Sequence, residues 1–260
     1  MKRRKFMQSS LLAGSALLSE KTFSEKKQNP DDQKALFELR EYEMHFGSNE
    51  NDLHNYFQNA LIPALNKNGI KNVGVFKELS KSEPTKIYLL IAYSTWNDFI
   101  VSNAKLKTDD SYKSAAAAYM KMTADKFPYT RYRTKLMIAF DGLPQIAAPK
   151  NSPRIFELRT YEGYNEDALA RKIKMFNKEE FTIFYRTKLT PVFFGEVIAG
   201  HDMPCLTYMI TFANMEERDK NWAEFGKDAD WKKVSADPEY ANTVSRITKI
   251  FLEPVAYSQI

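Results

Sequence analysis

Two spacings of hydrophobic positions run through the chain. Over residues 35–45 and 154–163, apolar and polar side chains alternate, the pattern of a strand with one face on a core. Between Asn51 and Lys67, the residues Leu53, Tyr56, Phe57, Ala60, Leu61, Ala64 and Leu65 recur at steps of three and four. That spacing predicts an amphipathic helix, and Gly69 supplies its stop. A second helix is predicted over Glu166–Lys188, with Ile173, Phe176, Phe181 and Phe184 on its apolar face. Strand patterns follow at 71–79 with 86–93, and at 191–199 with 205–212. Turn-forming stretches join them, Lys81-Ser82-Glu83-Pro84 and Gly200-His201-Asp202-Met203-Pro204. Helical patterns come next, over about 95–124 and 214–236, and strands at 131–140 and 245–253 end the two runs.

The two runs match each other. Leu36-Phe37-Glu38-Leu39-Arg40-Glu41-Tyr42-Glu43 returns as Ile155-Phe156-Glu157-Leu158-Arg159-Thr160-Tyr161-Glu162, at an offset of 119 residues. At that offset Ile87–Tyr93 faces Leu206–Phe212, and Tyr112-Lys113 faces Trp231-Lys232. A repeat this long is a domain rather than a solenoid element. The expected fold is therefore α+β: two tandem ferredoxin-like βαββαβ repeats, residues 35–142 and 154–260, joined by a Pro-rich linker at 143–153. Each antiparallel sheet carries helices on one face only. The bare faces are expected to pack on each other as an intrachain α+β barrel.

Residues 1–34 read as an address and a linker. Lys2-Arg3-Arg4-Lys5 precede a short, weakly apolar run from Ser9 to Leu18, too short to span a bilayer. Arg3-Arg4 with Phe6 resembles a bacterial twin-arginine signal, which implies a periplasmic or secreted protein with no stable membrane insertion once the signal is removed. Those first bases also explain the net charge of +5, since without them the basic excess is one. The remaining body lacks the basic surplus that phosphate-gripping proteins carry, so no nucleic-acid partner is expected. A single cysteine, Cys205, excludes a disulfide framework and a cysteine-built metal site. His45, His54 and His201 are scattered, and no metal or other cofactor is predicted.

The chain is similar to the NIPSNAP family. The similarity rests on Phe-Glu-Leu-Arg-x-Tyr-Glu at the head of each half and on Asn68-Gly69-Ile70-Lys71-Asn72-Val73-Gly74-Val75-Phe76. In the second half it rests on Pro204-Cys205-Leu206-Thr207-Tyr208-Met209, on Glu217-Arg218-Asp219-Lys220-Asn221-Trp222-Ala223-Glu224-Phe225, and on Asp230-Trp231-Lys232. The first half departs from this, with Tyr112 in place of Trp231. The resemblance implies a dimeric α+β barrel fold, whose members include small monooxygenases, haem-degrading enzymes and chlorite dismutases. It implies no defined biochemical activity.

On a strand, residues two apart share a face. Phe37 and Leu39, with Phe156 and Leu158, are expected against the helices. Glu38, Arg40 and Tyr42, with Glu157, Arg159 and Tyr161, are then expected to face the barrel lumen as ligand-binding residues. Arg40 and Arg159 would receive an anion or carboxylate there. The blander reading is a Glu–Arg ladder that fixes how the sheets meet, and it is favoured, because a buried unpaired Arg is strongly destabilising. His201 beside Asp202 is most simply a solvated turn pair, and Trp222, Phe225 and Trp231 form a core stripe. No catalytic residue is identified, and whether the chain is an enzyme stays open. The leading expectation is a small-ligand-binding or protein-interaction protein, with homo-oligomer formation also open. The alternative is a cofactor-free or haem-related monooxygenase-type oxidoreductase acting in the barrel pocket.

Overall fold

Strands form where the alternation places them. The computed structural model describes residues 34–80, 82–150 and 154–260. The signal-peptide reading thus lies outside the described residues, as does part of the expected linker. The first half runs β1 (Leu36–Met44), α1 (Glu50–Tyr56), α2 (Ile62–Lys67), β2 (Asn72–Glu78), β3 (Lys86–Tyr93), α3 (Trp96–Leu106), α4 (Asp110–Ala115), α5 (Ala117–Met120) and β4 (Tyr129–Ala139). The second runs β5 (Ile155–Glu162), α6 (Glu166–Met175), α7 (Phe181–Arg186), β6 (Thr190–Ala199), β7 (Cys205–Phe212), α8 (Met215–Lys227), α9 (Ala229–Ser235) and β8 (Arg246–Pro254).

Local chemistry sets the helix ends. The side chains of Asn49, Asn165 and Asn214 accept from backbone amides at the starts of α1, α6 and α8. Thr95 and Asp98 form a capping box on α3. A π-helical turn joins α1 to α2 at Phe57–Leu61 and, at the matching place, α6 to α7 at Phe176–Glu180. The Gly69 stop appears as expected, with φ +89°. In the second half Lys188 holds that left-handed position with φ 60°.

The eight strands close into one antiparallel barrel in the order β1-β3-β2-β8-β5-β7-β6-β4. Two seams join the halves: β2 with β8, from Phe76↔Pro254 to Glu78↔Leu252, and β4 with β6, from Leu136↔Ala199 to Ala139↔Gly195. At the second seam a Cβ on Gly195 would lie 2.7 Å from the Cβ of Met137, so only glycine permits this approach.

The faces are the reverse of those expected. Phe37, Leu39, Phe156 and Leu158 point into the barrel, in one core with Phe76, Leu90, Met137, Phe193, Met209 and Leu252 from both halves. Phe37 meets Phe193 and Phe76 meets Phe156, each with ring centroids 5.0 Å apart. The lumen placement of Glu38, Arg40, Tyr42, Glu157, Arg159 and Tyr161 is therefore corrected: these residues lie between the sheet and the helices. Tyr42 packs with Leu53 and Phe57 of the first helical layer, and Tyr161 with Phe176 and Phe184 of the second. The physical reason is supply of partners. A narrow closed barrel is filled by its own side chains, whereas a helix laid across the outer face can bring donors to a buried carboxylate.

One end of the barrel is shut. Ile260 lies within the interior core, and Ile146 and Ala148 pack against it. The Ala147 amide donates to the Val192 carbonyl at 2.8 Å, which holds that segment in place. The other end opens on polar side chains.

Candidate functional site

The two Glu–Arg pairs expected from sequence do form. In the first half, Arg40 Nε donates to Glu38 Oε1 at 2.6 Å and the Tyr93 hydroxyl donates to Glu38 Oε2 at 3.1 Å. The Arg40 guanidinium lies 5.6 Å from the Tyr132 ring centre. In the second half the network is denser. Glu157, with no exposed surface, accepts from Arg159 Nη1 at 2.6 Å, Arg218 Nε at 2.9 Å, Arg218 Nη2 at 3.1 Å and the Trp222 indole at 2.9 Å. Arg159 also faces Trp222, 4.5 Å from the ring centre. Burial alone would raise the Glu157 pKa. The bonds from Arg218 and Trp222 and the charge of Arg159 outweigh it and hold the carboxyl below its ordinary value. Nearby, Lys172 pairs with Glu180 beneath the π-helical turn, its ammonium 4.5 Å from the Phe176 ring centre. Helix-borne donors thus reach the carboxylate of the second half, whereas the first-half pair is answered from neighbouring strands, by Tyr93 and Tyr132.

The open end of the barrel is a different place. A cavity of about 300 Å³ lies there, lined by Glu41, Lys86, Arg133, Lys135, Thr160, His201, Asp202, Arg246 and Thr248 above a floor of Leu39, Tyr88, Leu158 and Ile250. That volume is at the lower end for small-ligand sites. None of the six expected residues lines it.

Most rim cations already have carboxylate partners. Lys86 pairs with Glu41 at 2.9 Å, Arg133 with Glu43 at 3.2 Å, and Arg246 with Glu162 at 2.9 Å. Lys135 differs. Its residue is 6% exposed, its amine reaches the Thr160 hydroxyl only at 3.5 Å, and its nearest carboxylate oxygen, on Asp202, is 3.6 Å away. Both distances exceed an ordinary N–H···O bond. That Asp202 oxygen lies 2.5 Å from His201 Nδ1. Burial would raise the Asp202 carboxyl, but the bond from His201 and the charges of Lys135 and Arg246 hold it below its ordinary value. The His201–Asp202 pair is thus part of the cavity wall, not only a solvated turn.

Cys205 sits in the interior core, and burial pushes its thiol up to about 11. Such a thiol is a poor nucleophile at neutral pH. The histidines do not fit a haem ligand in a dry pocket. His45 is exposed after β1, His54 Nδ1 lies 2.5 Å from the Tyr257 hydroxyl, and His201 is tied to Asp202 at a wet rim. Among the described residues, no group of three or more His, Cys, Asp and Glu side chains is placed to hold a metal ion, and no helix is long and apolar enough to cross a membrane.

The mouth residues were missed because they were sought on the wrong face. A signal for them does exist. The interior set of each strand grades from polar to apolar along its length: Arg133, Lys135, Met137, Ala139 on β4; Arg246, Thr248, Ile250, Leu252 on β8; Glu41, Leu39, Phe37 on β1. A face that changes polarity along a strand marks a barrel end.

Residues 156–259 match the NIPSNAP family model. The NIPSNAP match thus spans β5 through β8 and includes Glu157, Arg159, Arg218 and Trp222. No curated protein matches the chain. Among solved structures, a provisionally named monooxygenase from Lactobacillus acidophilus is 13% identical, with 85% of this chain and 94% of that one covered and a TM-score of 0.54. A second provisionally named monooxygenase, from Fusobacterium nucleatum, is 9% identical, with 86% and 93% covered and a TM-score of 0.53. A NIPSNAP family protein from Agrobacterium tumefaciens is 15% identical, with 44% and 96% covered and a TM-score of 0.38. At these identities the first two likenesses establish the shared α+β barrel architecture and nothing about chemistry.

Proposed function

We propose that this protein binds a small molecule in the polar mouth of its barrel. One observation carries the reading: Lys135 is a buried ammonium on a cavity wall, with no partner at ordinary hydrogen-bond distance. Its two partners, the Thr160 hydroxyl and an Asp202 oxygen shared with His201, are both long, which leaves room for a closer anion, and a ligand in the cavity would supply one. The test is native mass spectrometry of the full chain purified from its own cells. A co-purifying small molecule is expected, and it should be lost in Lys135→Met. A protein that arrives without an adduct, and that no compound of a diverse library stabilises against heat, would overturn the reading.

The surrounding organisation follows the same proposal. We read the halves as tandem ferredoxin-like βαββαβ repeats, residues 35–142 and 154–260, that close one barrel within a single chain. Residues 1–34 are read as a twin-arginine-type leader and linker, which places the mature protein in the periplasm or outside the cell. Changing Arg3 and Arg4 together to Lys is then expected to strand the precursor in the cytoplasm, and unimpaired secretion would refute the leader.

A second reading, a monooxygenase-type oxidoreductase acting in this pocket, is compatible with the names of the two full-length structural likenesses and with the apolar floor of Leu39, Leu158 and Ile250. It calls for oxygen uptake when the protein is incubated in air with candidate quinols. Without such uptake the binding reading stands alone.

A further inference from the structure

We infer that the mouth ligand is a small monocarboxylate with an aryl or short acyl body, its head group on Lys135 and its body on Leu39, Leu158 and Ile250. This rests on the ligand-binding reading above and narrows it to a chemical class.

Three features select that class. The first is charge. Lys86, Arg133 and Arg246 are each within 3.2 Å of a carboxylate oxygen, whereas Lys135 reaches only Asp202, at 3.6 Å, through an oxygen that His201 also holds. A single anionic group completes one such cation. A dianion would add repulsion from Asp202 and Glu41 on the same wall. The second is geometry. The Thr160 hydroxyl lies beside the Lys135 amine and at 3.0 Å from the Thr207 hydroxyl, so it is a rotatable donor next to the cation. Two adjacent donors suit the two oxygens of a carboxylate. The third is the floor. Leu39 and Leu158 continue into the barrel core, and Ile250 packs against that core. The Tyr88 hydroxyl is committed to Glu78 at 2.7 Å, so its ring offers an apolar surface only. A polar wall over an apolar floor matches a molecule with one charged end and one greasy end. At roughly 30 Å³ per liquid water molecule, the cavity has room for about ten non-hydrogen atoms.

The experiment is isothermal titration of the full chain at low ionic strength with benzoate, hexanoate, benzamide and inorganic phosphate. Benzoate and hexanoate are expected to bind at least about tenfold more tightly than benzamide and phosphate, the scale of one charge-assisted hydrogen bond. Lys135→Met should remove that advantage, and Lys135→Arg should keep part of it. Ile250→Ala, at a half-buried floor position, should weaken hexanoate about threefold or more and leave inorganic phosphate unchanged. The Ile250 variant keeps the test alive if Lys135→Met does not fold. Phosphate or benzamide binding as tightly as the acids would overturn the carboxylate class while the ligand-binding reading survives. The same holds if none of the four probes binds but native mass spectrometry still finds an adduct. With neither probe nor adduct bound, both readings fall. Acid binding that is unchanged in both Lys135→Met and Ile250→Ala would place the molecule elsewhere and overturn the inference.

Discussion

Replacing Glu157 with Gln is expected to destabilise the protein by about 3–5 kcal/mol, the range for breaking a buried ion pair from one side. The side chain keeps its volume, so packing is not the cause. What is lost is the negative charge and one of the two oxygens that Arg159, Arg218 and Trp222 share, its place taken by an NH2 that meets only donors. Arg159 has no alternative, since its Nε is already buried without a hydrogen-bond partner. The same change removes an acid limb from the stability curve. Because the folded protein holds the Glu157 carboxyl below its ordinary value, its stabilisation is fully present above about pH 4.3, the ordinary glutamate value, and is lost as pH falls through the folded value. Urea unfolding at pH 7 and at pH 4 checks both statements. The wild type should lose more stability between those pH values than Glu157→Gln does. A loss at pH 7 below about 0.5 kcal/mol, the range of an ordinary surface change, would mean that this network carries no load.

Lys172→Leu should cost a similar amount, about 3–5 kcal/mol, while the double change with Glu180→Leu should recover most of it. At the matching positions of the first half the chain carries Leu53 and Leu61, both buried in the first helical layer. One half therefore fills this space with two leucines and the other with an ion pair. Removing only the lysine strands a carboxylate that burial has already pushed above its ordinary value. An acid whose folded pKa is raised contributes stability at low pH that is lost as pH rises from its unfolded value toward its folded one. Lys172→Leu should therefore compare worst with the wild type above neutral pH, and the double variant should show no such trend. Thermal unfolding across pH 5 to 8 decides it. A double variant that is less stable than the single one would show that the pair has a role the leucines cannot fill.

The elements were legible because each rests on a local rule. Gly69 stops a helix, steps of three and four mark the helical stretches, and alternation marks β1 and β5. The Glu38–Arg40 and Glu157–Arg159 pairs were legible too, since residues two apart on a strand must share a face. Their direction was not. Alternation distinguishes two faces without saying which one meets helices, and here both are buried. An open sheet would have sent its polar set to water. In a closed barrel with an outer helical layer, the set with charges went to the side where Arg218, Trp222 and Tyr93 could answer them.

Lys135 shows the same limit from the other direction. In sequence it is one of 38 bases. It becomes distinctive only when closure brings β1, β3, β4, β5 and β8 around one opening and buries its amine 3.6 Å from an Asp202 oxygen that His201 already holds.

By itself the sequence determined the order of strands and helical regions, the helix stop at Gly69 and the pairing of each strand glutamate with its arginine, because all of these depend on neighbours within a few residues. Only the tertiary structure decided which face lines the barrel, which end is plugged by Ile260 and which end is open. Those outcomes depend on which distant strands meet at the two seams, and on where a buried charge can find a partner.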